Sequence, residues 1–219
     1  MKLLLTSVAL IGFMTTAIFL EQRVDQLKRP GPRAELMLYL PSGELLRPAA
    51  LGFDTVLADV LWLRTVSYFG LHYLTDKRYD WLYHMLDVTT TLDPKFLKAY
   101  TTGALILSIE LGEVEKSNRL LIKGMKHLPG QWQIPFYLGF NHFFYMNEPL
   151  VAARYLQQAA KLPGHPRFLP HLAATLLVEG GEPEAASQFL LRLYEQTKDE
   201  RLREELRKRI EELKQGEPS

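Results

Sequence analysis

The strongest constraint on the fold of this chain is a sequence motif that returns every 34 to 35 residues. In its clearest copy a turn residue is followed by small and large apolar residues at fixed distances, and Pro129 closes the segment. The turn residues of the four copies are Lys77, Gly112, Asn147 and Gly181. A repeat of this length is typical of helical hairpins, which must stack because one hairpin cannot bury its apolar face alone. The sequence therefore predicts an all-α solenoid of about four helical hairpins.

Small side chains mark the places where two helices are expected to approach closely. A small residue stands five positions after the turn residue, and a leucine follows four positions later, as in Ser117 with Leu121, Ala152 with Leu156, and Ala186 with Leu190. A glycine or asparagine at the turn is expected to adopt a left-handed conformation that ends the first helix. The proline after the second helix is expected to prevent its continuation.

This spacing resembles the tetratricopeptide repeat, a 34-residue pair of antiparallel helices. The residues that carry the resemblance are Gly70, Tyr73 and Leu92-Asp93-Pro94 in the first copy, Gly112, Ser117, Gly124 and Pro129 in the second, Gly139, Ala152, Ala159 and Pro163 in the third, and Ala174, Gly181 and Ala186 in the fourth. In the second copy Leu105 occupies a position where the family has a small residue. The resemblance covers about Leu63 to Lys198, and it implies a right-handed superhelix whose concave groove is lined by the first helix of each hairpin.

In the resembled family the groove binds segments of other proteins, so the resemblance implies a protein partner. The residues expected to line the groove here are Leu71, Thr102, Ile106, Phe136, Phe140, Phe143, Phe144 and His171. Four of them are phenylalanines of one helix, and a helix offers only about a third of its circumference to each neighbour. Some of these rings are therefore expected to face the groove and to bind an apolar or helical segment. The alternative is that the rings are large core residues.

The amino-terminal residues Leu3 to Leu20 are apolar or small and carry no charge. As a helix they would span roughly 27 Å, close to the hydrocarbon thickness of a bilayer. We interpret residues 1–22 as a transmembrane signal-anchor that places the protein in a bacterial inner membrane. A cleaved signal peptide is the alternative, although no small-x-small cleavage site follows. The short tail before the apolar run favours a periplasmic domain, whereas the basic residues after it favour a cytoplasmic one.

The rest of the chain divides into three parts. Residues 23–52 are predicted to be a juxtamembrane linker in which Leu36 to Leu46 forms a short hairpin, a strap or an ordered loop. Residues 53–198 hold the repeats, and Asp54 is available to cap their first helix. Residues 199–219 are predicted to form a capping helix with a frayed tail, because their leucines and isoleucine follow one stripe. A coiled-coil dimerisation helix is the alternative for this last part.

Composition and motifs argue against most other functions. The net charge is +1, which indicates no nucleic-acid surface, and the chain has no cysteine. Its six histidines include no pair four residues apart, so we predict no metal site. Neither a phosphate-binding loop nor a nucleophile with a base is recognisable, and we predict neither a cofactor nor catalysis. The predicted function is a membrane-anchored adaptor for assembly of an envelope complex of the pilus, secretion or cytochrome type. A permanent structural subunit of a membrane machine is the alternative.

Overall fold

A computed structural model of the chain describes residues 15–16 and 40–215. Within these residues there are ten α-helices and no β-strand, which confirms the all-α prediction. In chain order the helices are α1 (Gly43–Ala49), α2 (Asp54–Tyr73), α3 (Leu82–Leu92), α4 (Leu97–Leu105), α5 (Val114–His127), α6 (Gln133–Phe144), α7 (Pro149–Ala160), α8 (Phe168–Glu179), α9 (Pro183–Gln196) and α10 (Glu200–Gln215). A π-helical turn, Ile106–Glu110, continues α4.

The sequence repeat is present in the backbone as four left-handed turns. Lys77, Gly112, Asn147 and Gly181 have φ angles of 54°, 67°, 55° and 84°. Each of these residues lies between two helices that pack together: α2 with α3, α4 with α5, α6 with α7, and α8 with α9. Glycine adopts this conformation freely and asparagine tolerates it, whereas a lysine there is uncommon. The left-handed turns predicted for glycine and asparagine are therefore confirmed, and Lys77 adopts the same conformation without having been predicted to do so.

The small positions of the motif lie where the helices approach most closely. Ser117, Ala152 and Ala186 are completely buried. The leucines one turn later are buried as well, namely Leu121, Leu156 and Leu190. At the carboxyl end, α10 packs against α9 and buries its predicted apolar stripe of Leu202, Leu206 and Ile210 in the same core as α7, α8 and α9. The packing predictions for these residues are confirmed.

The first hairpin departs from the predicted packing. Gly70 and Tyr73 carry the resemblance to the repeat family here, but a Cβ atom added at Gly70 would meet no atom within 4 Å. Tyr73 is exposed. The reason is that α2 buries the face formed by Ala58, Leu61, Thr65, Tyr68 and His72. The capping prediction for Asp54 is also wrong, because this residue is the first of α2 and makes no capping hydrogen bond.

The second hairpin uses a different small residue from the one that the repeat predicts. Gly103, two residues before Leu105, provides the close approach, since a Cβ there would lie 2.7 Å from a methyl group of Leu86. The π-helical turn that follows carries i→i+5 hydrogen bonds and so holds more residues per turn than an α-helix. The hydroxyls of Ser108 and Ser117 both donate to the Ala104 carbonyl, at 3.0 and 2.9 Å, beside this turn. The π-helical turn therefore accommodates the two extra residues that separate Gly103, rather than Leu105, from the next turn residue.

The segment before α2 is helical where it is described. Leu45 and Leu46 lie in α1, so the hairpin, one of the three alternatives for this segment, is not formed. Ser42 directly before the helix and Glu44 in its first turn are residues that favour the start of a helix over a strand. Helix α1 packs against α3, where an Arg47 guanidinium nitrogen donates to the Thr91 carbonyl at 2.6 Å. The described residues from Pro41 onward form one compact unit.

The predicted anchor, Leu3 to Leu20, lies outside the described residues apart from Thr15 and Thr16. Most of the predicted linker and the last four residues also lie outside them. Among the residues that are described, no helix is long and apolar enough to cross a membrane.

Candidate functional site

Phenylalanine rings form a row along α6, which we call the aromatic ridge. It consists of Phe136, Phe140 and Phe144, with Phe168 from the start of α8 beside Phe136. The ring centroids of Phe140 and Phe144 are 4.5 Å apart, and those of Phe136 and Phe168 are 6.3 Å apart. Residues four positions apart share one face of a helix, so the three α6 rings lie in line.

The aromatic ridge points away from the buried face of its own helix. That face consists of Ile134, Pro135, Leu138, Gly139 and Asn141. Phe144 is 63% exposed and Phe168 is 53% exposed, whereas a core phenylalanine would be almost fully covered. Phe140 pairs with Phe144, and Phe136 pairs with Phe168, so the four rings form two aromatic pairs along one face and not scattered single residues.

The predicted groove phenylalanines divide between the surface and the core. Phe136 and Phe143 are half-buried and pack against the carboxyl-terminal core. Phe140 is half-buried and Phe144 is exposed. Phe168 is the first residue of α8 and follows Pro166 and Arg167. Only the fold reveals that this ring lies beside Phe136.

Two further predicted residues lie on the first helix of the preceding hairpin. Thr102 of α4 and Ile106 of the π-helical turn are half-buried. They lie on the side away from the buried Ala104 and Leu107, and α4 packs against α6. Leu71 is exposed on α2, within an apolar stripe of that helix.

His171, also predicted to line the groove, is half-buried on α8. Its half-buried imidazole is close enough to Glu205, Arg209 and Glu212 of α10 to respond to their charges. Burial lowers the pKa of His171, the two glutamates oppose this change, and Arg209 adds to it. His171 thus lies on the side of α8 that faces α10, and its role in binding a partner stays a prediction.

We expect the lowered pKa of His171 to make the fold less stable in mild acid. The unfolded chain binds the proton at the ordinary histidine pKa of about 6.5, above the pKa in the folded state. Stability should therefore fall as the pH drops below about 6.5, since the unfolded state then binds more protons. His171→Gln should reduce the change in melting temperature between about pH 7.5 and about pH 5.5. His127→Gln, at an exposed histidine of α5, should leave that change as it is in the parent chain. An unaltered pH dependence in His171→Gln would contradict the assignment.

One histidine has a carboxylate partner that the sequence analysis did not predict. His72 Nδ1 lies 2.5 Å from Asp76 Oδ1 four residues later, a carboxylate that the sequence reading overlooked. The hydrogen bond from His72 is the main reason why the pKa of Asp76 is lowered. Within the described part of the chain, no group of three His, Asp or Glu side chains is arranged to hold a metal ion.

A cleft among the described residues has a different character from the aromatic ridge. It has a volume of about 490 Å³ and lies where the first two hairpins turn. Basic and acidic groups line it together, and two of its ion pairs are internal: Arg78 with Asp80 at 3.4 Å, and Lys116 with Glu113 at 2.6 Å. Because these charges compensate each other, the cleft offers a charged ligand little net attraction.

Comparison with models of protein families, with curated proteins and with solved structures finds no match for this chain. The case for a function therefore depends on its own residues.

Proposed function

We propose that this protein is a non-catalytic adaptor that holds an apolar, helical segment of a protein partner on the aromatic ridge. The described helices would then form a right-handed solenoid of tetratricopeptide-like hairpins. Support for the solenoid comes from the four left-handed turns one repeat apart. Further support comes from the order of packing, in which each helix from α2 to α10 contacts the next one in the chain.

The exposed rings of the aromatic ridge carry the proposal. A phenylalanine buries on the order of 200 Å² when it is covered, and aromatic residues dominate the energetics of protein interfaces. Leaving Phe144 and Phe168 exposed gives the isolated chain no stability. A partner that covers them would gain this hydrophobic free energy. Binding would not require α6 to rearrange, because Phe136 and Phe143 already pack this helix against the carboxyl-terminal core.

The chemistry of the ridge favours an apolar helix as the bound segment. Its three α6 rings are spaced at every fourth residue, which is the spacing of contacts between two packed helices. No Lys or Arg belongs to the ridge, so it lacks the groups that would pair with a terminal carboxylate. Recognition by apolar side chains at i, i+3, i+4 and i+7 of the partner is the mode that fits.

The location is the second half of the proposal. The uncharged run Leu3 to Leu20 would anchor the adaptor in a bacterial inner membrane, with the repeats in the periplasm or the cytoplasm. An anchored protein that presents a fixed apolar surface is suited to holding one component of an envelope complex during assembly. This role does not require the aromatic ridge to catalyse a reaction.

We expect the double variant Phe144→Ser/Phe168→Ser to bind the partner at least about tenfold more weakly, because two exposed anchor rings are lost. Both side chains are more than half exposed, so the fold should be little affected. The measurement is quantitative mass spectrometry of proteins that co-purify with the tagged full-length chain from its native membrane. Ile122→Ser/Leu191→Ser is the matched control, since it removes two exposed apolar residues from the second helices of hairpins. Equal recovery of every partner by the two variants would refute the proposed binding surface.

A further inference from the structure

Helix α2 exposes a second apolar surface, which the proposed adaptor role does not explain. Among its residues, Leu63 is 66% exposed and Leu74, directly after the helix, is 82% exposed. Other large apolar residues on the same side are exposed too, namely Phe53, Val56, Val60 and Leu71. Monomeric soluble proteins rarely expose contiguous apolar patches of this kind, so a surface that runs the length of a helix indicates a contact.

The exposed residues follow a heptad pattern. We define the α2 seam as the a positions Phe53, Val60, Ser67 and Leu74, with the d positions Val56, Leu63 and Gly70. The spacing alternates between three and four residues over three heptads, which is the pattern of a two-stranded coiled coil. The buried face of α2 occupies the b and f positions, at Ala58, Leu61, Thr65, Tyr68 and His72. The seam therefore lies on the side of the helix that its own fold leaves open.

Two charged residues beside the α2 seam favour pairing with an identical helix in a parallel orientation. Asp59 and Arg64 take the g and e positions; both are exposed, and neither forms an ion pair with any described residue. In a parallel pair of identical helices, a g residue faces the e residue five positions further along the other helix. Asp59 of each copy would then meet Arg64 of the other copy. In an antiparallel pair, g positions face g positions and e positions face e positions, so Asp59 would not meet Arg64.

We propose that α2 pairs in parallel with α2 of a second copy of this chain along the α2 seam. The helix is already folded against α3, so pairing does not require the unfavourable step of helix nucleation. Ser67 can be covered at little cost, because its hydroxyl already donates to the Leu63 carbonyl at 2.8 Å. The space around Gly70 is open, which allows the second helix to approach closely there. Val60 at an a position with Leu63 at d favours two strands.

The absence of cysteine from the chain makes disulfide crosslinking a direct test. Val60→Cys and Leu63→Cys are introduced singly into the full-length chain, and membranes are treated with a mild oxidant. Equivalent seam positions face each other in a parallel pair, so both variants should give a reducible dimer. Thr55→Cys is the control, because this residue is exposed at a c position of the same helix. Its dimer yield should be at least about tenfold lower, since its side chain would lie outside the range of disulfide geometry.

A charge exchange tests the register. In the Val60→Cys background, Asp59→Arg should lower the rate of dimer formation about fivefold, because it places like charges across the seam. Adding Arg64→Asp should restore the rate. The proposal is overturned if Val60→Cys and Leu63→Cys give no more dimer than Thr55→Cys. It is also overturned if they crosslink only to each other when co-expressed, which indicates an antiparallel pair, or if they crosslink to a different protein.

Discussion

We expect Asn141→Ala to lower the free energy of unfolding by about 2 to 3 kcal/mol, because it leaves buried polar groups without partners. The Asn141 side chain is 1% exposed in α6, and its amide nitrogen donates to Ser117 Oγ at 2.9 Å and to Asn118 Oδ1 at 2.8 Å. Ser117 in turn donates to the Ala104 carbonyl at 2.9 Å. This chain of hydrogen bonds connects α6 to α5 and α5 to α4. Removing its central amide therefore weakens the joint between the second and third hairpins.

Denaturant titration of the full-length chain in a mild detergent, followed by circular dichroism, measures this loss. Gln158→Ala is the control, because it removes an exposed amide from α7 and should change the unfolding free energy by less than about 0.5 kcal/mol. A double-mutant cycle with Asn118→Ala should show coupling of about 0.5 to 1.5 kcal/mol between the two asparagines. If Asn141→Ala costs no more than the control, the network does not stabilise the joint.

The same substitution at two helical glycines should have opposite effects. We expect Gly124→Ala to lower the unfolding free energy by about 1 to 2 kcal/mol, because overpacking outweighs the gain in helix propensity. The new Cβ would lie 2.8 Å from the ring of Tyr100, which is fully buried and donates its hydroxyl to the Thr90 carbonyl at 3.3 Å. Gly70→Ala should raise the unfolding free energy by about 0.5 to 1 kcal/mol, since its Cβ meets no atom within 4 Å.

The pair of glycine variants needs no further control, because each controls for the intrinsic preference of alanine over glycine in a helix. Both are measured by the same denaturant titration. A stabilised Gly124→Ala chain would mean that the Tyr100 ring can shift and that α5 and α4 are less tightly packed than described. A destabilised Gly70→Ala chain would mean that a Cβ atom at Gly70 clashes with a neighbouring group.

The repeat predicts the helices well because its main signals are local. A left-handed turn residue ends one helix, and Pro149 and Pro183 at the start of α7 and α9 favour the beginning of the next. The stripe of small and large residues then places Ser117 or Ala152 at a close contact regardless of what lies further away. Such signals depend on a few neighbouring residues, and for this reason four hairpins could be assigned from the sequence.

Register within the first helices was harder to predict, because it depends on which face the tertiary fold buries. With the π-helical turn after Leu105, the close contact between helices falls at Gly103, and no local sequence pattern predicts such a turn. The position of His171 under α10 likewise depends on a helix that follows it by two elements. Of the candidate site, the sequence could identify an excess of rings in α6, but only the fold separates the exposed Phe144 from the partly covered Phe136 and Phe143.

Photo-crosslinking in living cells tests most directly whether the aromatic ridge binds a partner. A photoreactive amino acid replaces Phe144 in the full-length chain, and the control replaces Lys208 on the exposed side of α10. The proposed function predicts a discrete adduct from position 144 that is absent from position 208, and that disappears when Phe168→Ser is added. Identical adducts from the two positions, or none from position 144, would contradict it.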